Sequence, residues 1–241
     1  MNTNSTLLIV GSMEVFIVQK KIKNLHLSLL PPTGSVRVSA PNGTTDDVIR
    51  SFVASKSSWI KKQQQKYQDQ SRQTEREYVS GETHYYLGKP YKLEVIDGAD
   101  KNELSIKGKN VFLLKTRLNL STKKKEQLFN DWYRKELRSI LDKLIKKWQP
   151  KIKVAPTHWR IQRMKTRWGS CNHEGGRVLI NLELIKKPHH CIEYVVVHEW
   201  LHLIEPKHDE KFVALLDKQL PKWRQAKEEL NRFMLTYEEW K

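Results

Sequence analysis

An α+β protein follows from three features of the 241-residue sequence. Period-two and continuous apolar runs dominate roughly the first hundred residues. A long amphipathic segment follows, and beyond Pro156 short strand and helix patterns alternate. A chain of this length suits one large domain or two small ones, and buries a core without staples.

MEVFIVQ (13–19), LHLSLL (25–30) and SVRVSAP (35–41) read as strands, with PPTG (31–34) as the turn between the last two. The spacing turns helical over TTDDVIRSFVASKSSWIKKQQQKY (44–67), with Thr44 or Thr45 as N-cap and Asp46 and Asp47 in the first turn. QDQSRQTERE (68–77) is polar and reads as a loop or a frayed helix end. Residues 85–116 return to strands, with Gly88, Gly98 and Gly108 at or near turns, the pattern of a meander.

Leu128, Trp132, Leu137, Ile140, Leu141, Leu144 and Ile145 then form the apolar stripe of a long helix over 121–150, which Pro150 ends. HWRIQRMKTRW begins as a strand, WGSCNHEGG is a loop and RVLINLELI is a strand. Helices follow at Ile192 to Leu203, Phe212 to Leu220 and Trp223 to Phe233. No repeat and no low-complexity tract stands out. The domain boundary falls between Thr116 and Lys123. That leaves a β-rich region with one helix over 1–118 and a second domain over 119–241.

Composition narrows the setting. The formal net charge is +17. Such a field attracts polyanions, so nucleic acid is a candidate partner for the basic stretches IKKQQQKYQ, STKKKEQ and IKKWQPKIK. Cys171 and Cys191 are the two cysteines, too few for a disulfide framework, and a reducing cytoplasm is the simplest compartment. The amino-terminal stretch lacks the basic n-region of a signal peptide, and no apolar run is long enough to span a bilayer.

The chemistry concentrates in VVVHEWLHLIEPKHDEKF (195–212). His198 and His202 are four apart, so one helical face presents both rings. A catalytic zinc takes three protein ligands and leaves one position open for water. Glu199, next to the first histidine, reaches the neighbouring side of the helix, where a carboxylate serves as general base toward that water. This is the HExxH arrangement.

Pro206 stops the helix. Asp209 is placed to cap the next one, which fixes the intervening loop and aims His208 back as third ligand. Glu205 is the rival third ligand; its place on the turn after His202 makes simultaneous ligation awkward, so His208 is favoured. Arg167, His173 and His189 are candidates for an oxyanion donor, without a signal that selects among them. Tyr194 reads as buried support, Trp168 and Trp200 as core aromatics, and Cys171 and Cys191 as small core residues. RVLINLELI is expected at the rim of the cleft, its free edge open to an extended peptide.

MKTRWGSCN, GGRVLINLELI and EYVVVHEWLHLIEPKHDEKF together resemble the YgjP-like metallopeptidase family, which is grouped with the SprT-like and Wss-type zincins. SVRVSAP, FVASKSSWI and YVSGETHYYLGKPYKLEV carry the resemblance across most of the chain. The family often has an asparagine before its third histidine and a serine after it, where this chain has Lys207 and Asp209. Trp200 is also bulkier than the usual residue within the motif.

The resemblance implies a carboxy-terminal zincin-like domain: a small antiparallel or mixed sheet with an active-site helix, preceded by the β-rich region. It further implies one Zn2+ per chain held by His198, His202 and His208, with Glu199 catalytic. The expected substrate is a peptide or protein.

Overall fold

The computed structural model describes residues 5–30, 34–69, 76–164 and 167–231. The PPTG turn before Gly34, the polar segment 70–75 and the helix end beyond residue 231 lie outside the described residues. Contacts divide the described chain into two compact units, one up to residue 69 and one from residue 76. Both are α+β.

The first unit holds β1 (Ser5–Val10), β2 (Met13–Lys20), β3 (His26–Leu30) and β4 (Ser35–Pro41) in the order β1-β2-β4-β3. The β2–β4 pair is parallel; the other two are antiparallel. Alternation sends Val36, Val38 and Ala40 inward with Leu8, Val10, Val15 and Ile17. α1 (Asp46–Ser55) and α2 (Ser57–Asp69) add Ile49, Val53 and Ile60 to that core. The single expected helix is therefore two, broken at Lys56, whose N–H turns back to the Val53 carbonyl at 3.0 Å. Thr45 does occupy the N-cap, and Asp46 and Asp47 the first turn, though the Thr45 hydroxyl makes no capping bond.

The second unit opens with β5 (Thr83–Tyr86), β6 (Lys89–Asp97), β7 (Glu103–Lys107) and β8 (Val111–Thr116), ordered β5-β6-β8-β7 with a parallel β6–β8 pair. This is not the expected meander. Gly88, Gly98 and Gly108 do sit at turns with φ of +79°, +85° and +63°. Turn residues locate the reversals, but not which strands then pair.

The order and pairing directions match those of the first sheet strand for strand, and each sheet is followed by a helix. The chain thus repeats one ββββα arrangement that its sequence does not display. The two copies share a pattern of inward positions rather than residues.

α3 (Thr122–Ile152) buries Phe129, Tyr133, Leu137, Leu141, Leu144, Trp148 and Ile152; Leu128, Trp132, Ile140 and Ile145 of the expected stripe flank that face. The helix runs two residues past Pro150. It closes on Lys153, in the left-handed region at φ 61°, whose N–H reaches the Gln149 carbonyl at 3.0 Å. Burial of Trp148 and Ile152 offsets the one donor that proline removes from the last turn.

A three-stranded sheet follows, from β9 (His158–Gln162), β10 (Gly169–Asn172) and β11 (Arg177–Asn181), in the order β10-β11-β9. A 3-10 turn (Leu182–Lys186) leads into α4 (His189–Leu201), α5 (Glu210–Gln219) and α6 (Trp223–Asn231).

The residues of β5–β8 belong to the same core as these elements. Leu93, Leu104, Phe112 and Leu114 cluster with Phe129, Leu137, Ile180 and Val197. Contacts accordingly divide the chain between residues 69 and 76, not at the expected 118/119. Strand content does not reveal which core a strand joins.

Two backbone bonds fasten the β5–β6 turn to the segment before α4: Leu87 N–H to Ile185 O at 2.9 Å and Gly88 N–H to Lys186 O at 3.1 Å. Trp148 Nε1 donates to Glu193 at 2.7 Å, which ties α3 to α4. Among the described residues no helix is long and apolar enough to cross a membrane.

Candidate active site

α4 starts behind Pro188 and is apolar nearly all round. Cys191, Ile192, Val195, Val196, Val197 and Leu201 are buried, each apolar side chain contributing about 1.5–3 kcal/mol by leaving water. This packing makes the helix a rigid mount. Its last turn carries His198 and Glu199, and His202 follows as the C-cap. The chain then turns through Leu203 to Glu205 with bonds back to Trp200 and Leu201. Asp209 caps α5 as expected, its carboxylate accepting Phe212 N–H at 3.1 Å. His208 sits just before that cap.

The three histidines converge. His198 Nε2 lies 3.2 Å from His202 Nε2 and 3.0 Å from His208 Nε2, and the last two are 3.1 Å apart. Tetrahedral zinc with Zn–N of about 2.0–2.1 Å sets its nitrogen ligands about 3.3–3.4 Å apart, close to this triangle. Three ring nitrogens facing one point cannot satisfy one another by hydrogen bonds, whereas a cation among them satisfies all three lone pairs. The residues therefore fit a metal ion.

Protonation agrees with that fit. Burial, reinforced by His202 and His208, holds His198 down at about 3, and burial likewise lowers His202. Both rings are neutral at pH 7. His202 Nδ1 lies 3.0 Å from the Glu205 carbonyl. A carbonyl only accepts, so the proton is on Nδ1 and the Nε2 lone pair points at the cluster. Glu205, the rival ligand, thus serves His202 through its backbone, while its carboxylate accepts Lys207 N–H at 3.4 Å. His198 Nδ1 is buried without a partner.

Phe212 is a member of the site that the sequence reading missed. Its ring is 2% exposed, stacks on His202 at 4.5 Å and meets His198 and His208 edge-on at 4.9 and 5.0 Å. It forms an apolar floor under all three imidazoles. The signal was its place four residues after His208, on the first turn of a capped helix.

Glu199 is 8% exposed, and its carboxylate makes no hydrogen bond or ion pair with any described residue. Burial raises it to about 7, against the opposing pull of Arg167. It abuts β10 at Gly169, where a Cβ would stand 2.5 Å from Glu199 Cγ and 2.6 Å from Oε1. Gly169 is not in the left-handed region, and the three atoms nearest to such a Cβ all belong to the Glu199 side chain. Gly169→Ala is expected to push Glu199 aside and lower the turnover of any hydrolysis that uses Glu199 as base by about 10²-fold. Zinc content and Tm should stay within error; a fully active variant would sink this reading.

A second clamp holds Met164 and Arg167 ahead of β10. Asn181, fully buried, donates to the carbonyls of Met164 and Arg167, both at 2.7 Å, and accepts from Met164 and Glu183 N–H, both at 3.2 Å. All its capacity is used, so it fixes the backbone that carries Arg167 and Gly169.

Of the three oxyanion candidates, Arg167 places its charge near Glu199, His173 acts on His202, and His189 stands by Glu193. Tyr194 is buried beside His198, ring centroids 5.6 Å apart. Trp200 is in the core and Trp168 is half-buried under the Lys187 ammonium. Burial and Glu199 push the Cys171 thiol up to about 11, which removes it as a nucleophile. Burial pushes Cys191 up to about 12.

The expected rim strand is corrected. β11 is the central strand, paired with β10 on one side and β9 on the other, so it has no free edge. The strand beside Glu199 with an open edge is β10.

A convergent histidine triad that could hold a metal ion has an unpartnered buried glutamate beside it. Comparison with known proteins gives the class. Residues 24–233 match the profile described as YgjP-like, metallopeptidase domain, and the chain belongs to that family. It also shows similarity to the crystal structure of the metallopeptidase zymogen abylysin of Pyrococcus abyssi, at 19% identity and a TM-score of 0.34, over 38% of this chain and 89% of that one. A likeness that loose carries no weight for fold or function. No curated protein matches the chain.

Proposed function

We propose that this chain is a zinc-dependent metallopeptidase of zincin type, built around the sheet β9–β11 and helices α4–α6. The convergence of His198, His202 and His208 Nε2 atoms within 3.2 Å carries the reading. Zinc at that point would supply Lewis-acid polarisation of the scissile carbonyl and activation of water.

The remaining work falls to the protein. Glu199, with no competing partner, takes the proton from the attacking water as its oxygen bonds to the carbonyl carbon. Glu199 then delivers that proton to the amide nitrogen as the C–N bond breaks. Phe212 excludes water from beneath the ligands. Gly169 leaves the carboxylate its room, and the open edge of β10 offers main-chain hydrogen bonds to an extended peptide.

Elemental mass spectrometry of the purified protein should find about one zinc per chain, and the zinc-loaded protein should cleave unfolded casein. Absence of metal after zinc reconstitution would overturn the proposal.

A further inference from the structure

We propose that the outer face of the β9–β11 sheet binds the phosphodiester backbone of nucleic acid. The face lies along a concavity of about 600 Å³ whose lining also takes in half-buried Trp159 and buried Val178. Alternation puts Val178 and Ile180 into the core and turns His158, Arg160, Arg177, Leu179, Ser170 and Asn172 outward.

The register arranges them in two rows across the three strands. Asn172, Arg177 and His158 are aligned in one row, and Ser170, Leu179 and Arg160 in the next. Arg160 and Arg177 are thus diagonal neighbours, roughly 8 Å apart at a strand spacing of about 4.8 Å and a rise of about 3.3 Å per residue.

The chemistry of this set is one-sided. Neither arginine has a hydrogen bond or ion pair with any described residue, and no carboxylate lines the concavity. The nearest acidic side chain in sequence, Glu174, is in the β10–β11 turn. Asn172 accepts Gly175 N–H at 2.9 Å through Oδ1, which leaves its amide donors outward. Two guanidinium forks, an amide and a hydroxyl are donors that match phosphate oxygens.

Two arginines without an acidic neighbour, in one concavity of a chain with net charge +17, give that concavity a positive potential that suits an anionic polymer. The two rows carry no exposed Phe, Tyr or Trp, and half-buried Trp159 in the lining already has the Arg138 guanidinium 4.9 Å over its ring, so the donors of the rows are matched to backbone phosphates rather than to stacked bases. The assignment is independent of the peptidase reading, because this face is opposite to the one that packs on α4.

The test is fluorescence anisotropy of the full chain with a labelled DNA duplex of about 20 base pairs, from about 50 to 200 mM salt. Arg160→Gln/Arg177→Gln should weaken binding at least about tenfold and reduce the log K–log salt slope by about 1.8, two contacts at about 0.9 each. Lys123→Gln/Lys124→Gln/Lys125→Gln removes more charge from the start of α3 and should weaken binding less than about threefold. Arg160→Lys/Arg177→Lys keeps the charge, preserves the fold should the glutamine pair lose it, and should fall between wild type and the glutamine pair.

Undetectable binding at the lowest salt overturns the proposal. So does equal weakening by the lysine and arginine sets. Displacement of the duplex by polyglutamate at equal charge concentration would mean an acidic protein surface is the partner, and would overturn it too.

Discussion

Glu199→Gln should lower kcat on an unfolded protein substrate by about 10³-fold or more, at the upper part of the range for loss of a general base. The substitution keeps volume and shape at a position where Gly169 allows little else. It removes the proton acceptor and leaves the histidines untouched. Zinc content should therefore remain at one per chain, and Tm should hold or rise, since a buried carboxylate without a hydrogen-bond partner is replaced by a neutral amide. Substrate affinity should change little, so the effect appears in kcat rather than KM. A variant retaining more than about a tenth of the activity would place the base elsewhere.

His202→Ala should abolish stable metal binding. Of the three proposed ligands His202 is the most firmly fixed: Glu205 O holds its Nδ1, Phe212 stacks on its ring, and its Nε2 meets both partners. A metal present at about a thousand times its dissociation constant stabilises the folded state by about 4 kcal/mol. The variant, and wild type stripped by a chelator, should both melt about 10 °C below the zinc-loaded protein. Glu205→Gln is the internal comparison. It leaves the backbone carbonyl in place, so zinc content and Tm should match wild type. Loss of zinc there, with retention in His202→Ala, would reverse the ligand assignment.

The parts of the site legible in the sequence are those set by local geometry. Four-residue spacing on a helix placed His198 beside His202, and a proline stop with an aspartate cap placed His208. Each is a statement about one turn or one cap. Phe212, Gly169 and Asn181 escaped because their importance is tertiary. A phenylalanine, a glycine and an asparagine have no local signature until α5 and β10 are brought against α4 and Asn181 is bonded to Met164 and Arg167. Arg167 was one of three equal candidates until its charge was found beside Glu199.

The same division holds for the fold. Turn glycines, the start of α1 and the strand periods were readable, but strand partners were not. Hence the meander became a sheet with a parallel centre, β11 became a central strand, and the repeated arrangement went unseen. Pro150 was read by its local effect alone, although the core contacts of Trp148 and Ile152 carry the helix past it.

Gly169 separates two kinds of inheritance. Its backbone conformation is open to any residue, so the fold places no demand on it, and neither does the metal. The Glu199 side chain, from Cγ to Oε1, fills the space that a Cβ would take. Gly169 is therefore tied to the length of residue 199, whereas the three histidines converge without reference to it. A chain in which residue 199 were short would admit alanine or serine here while all three rings stayed in place.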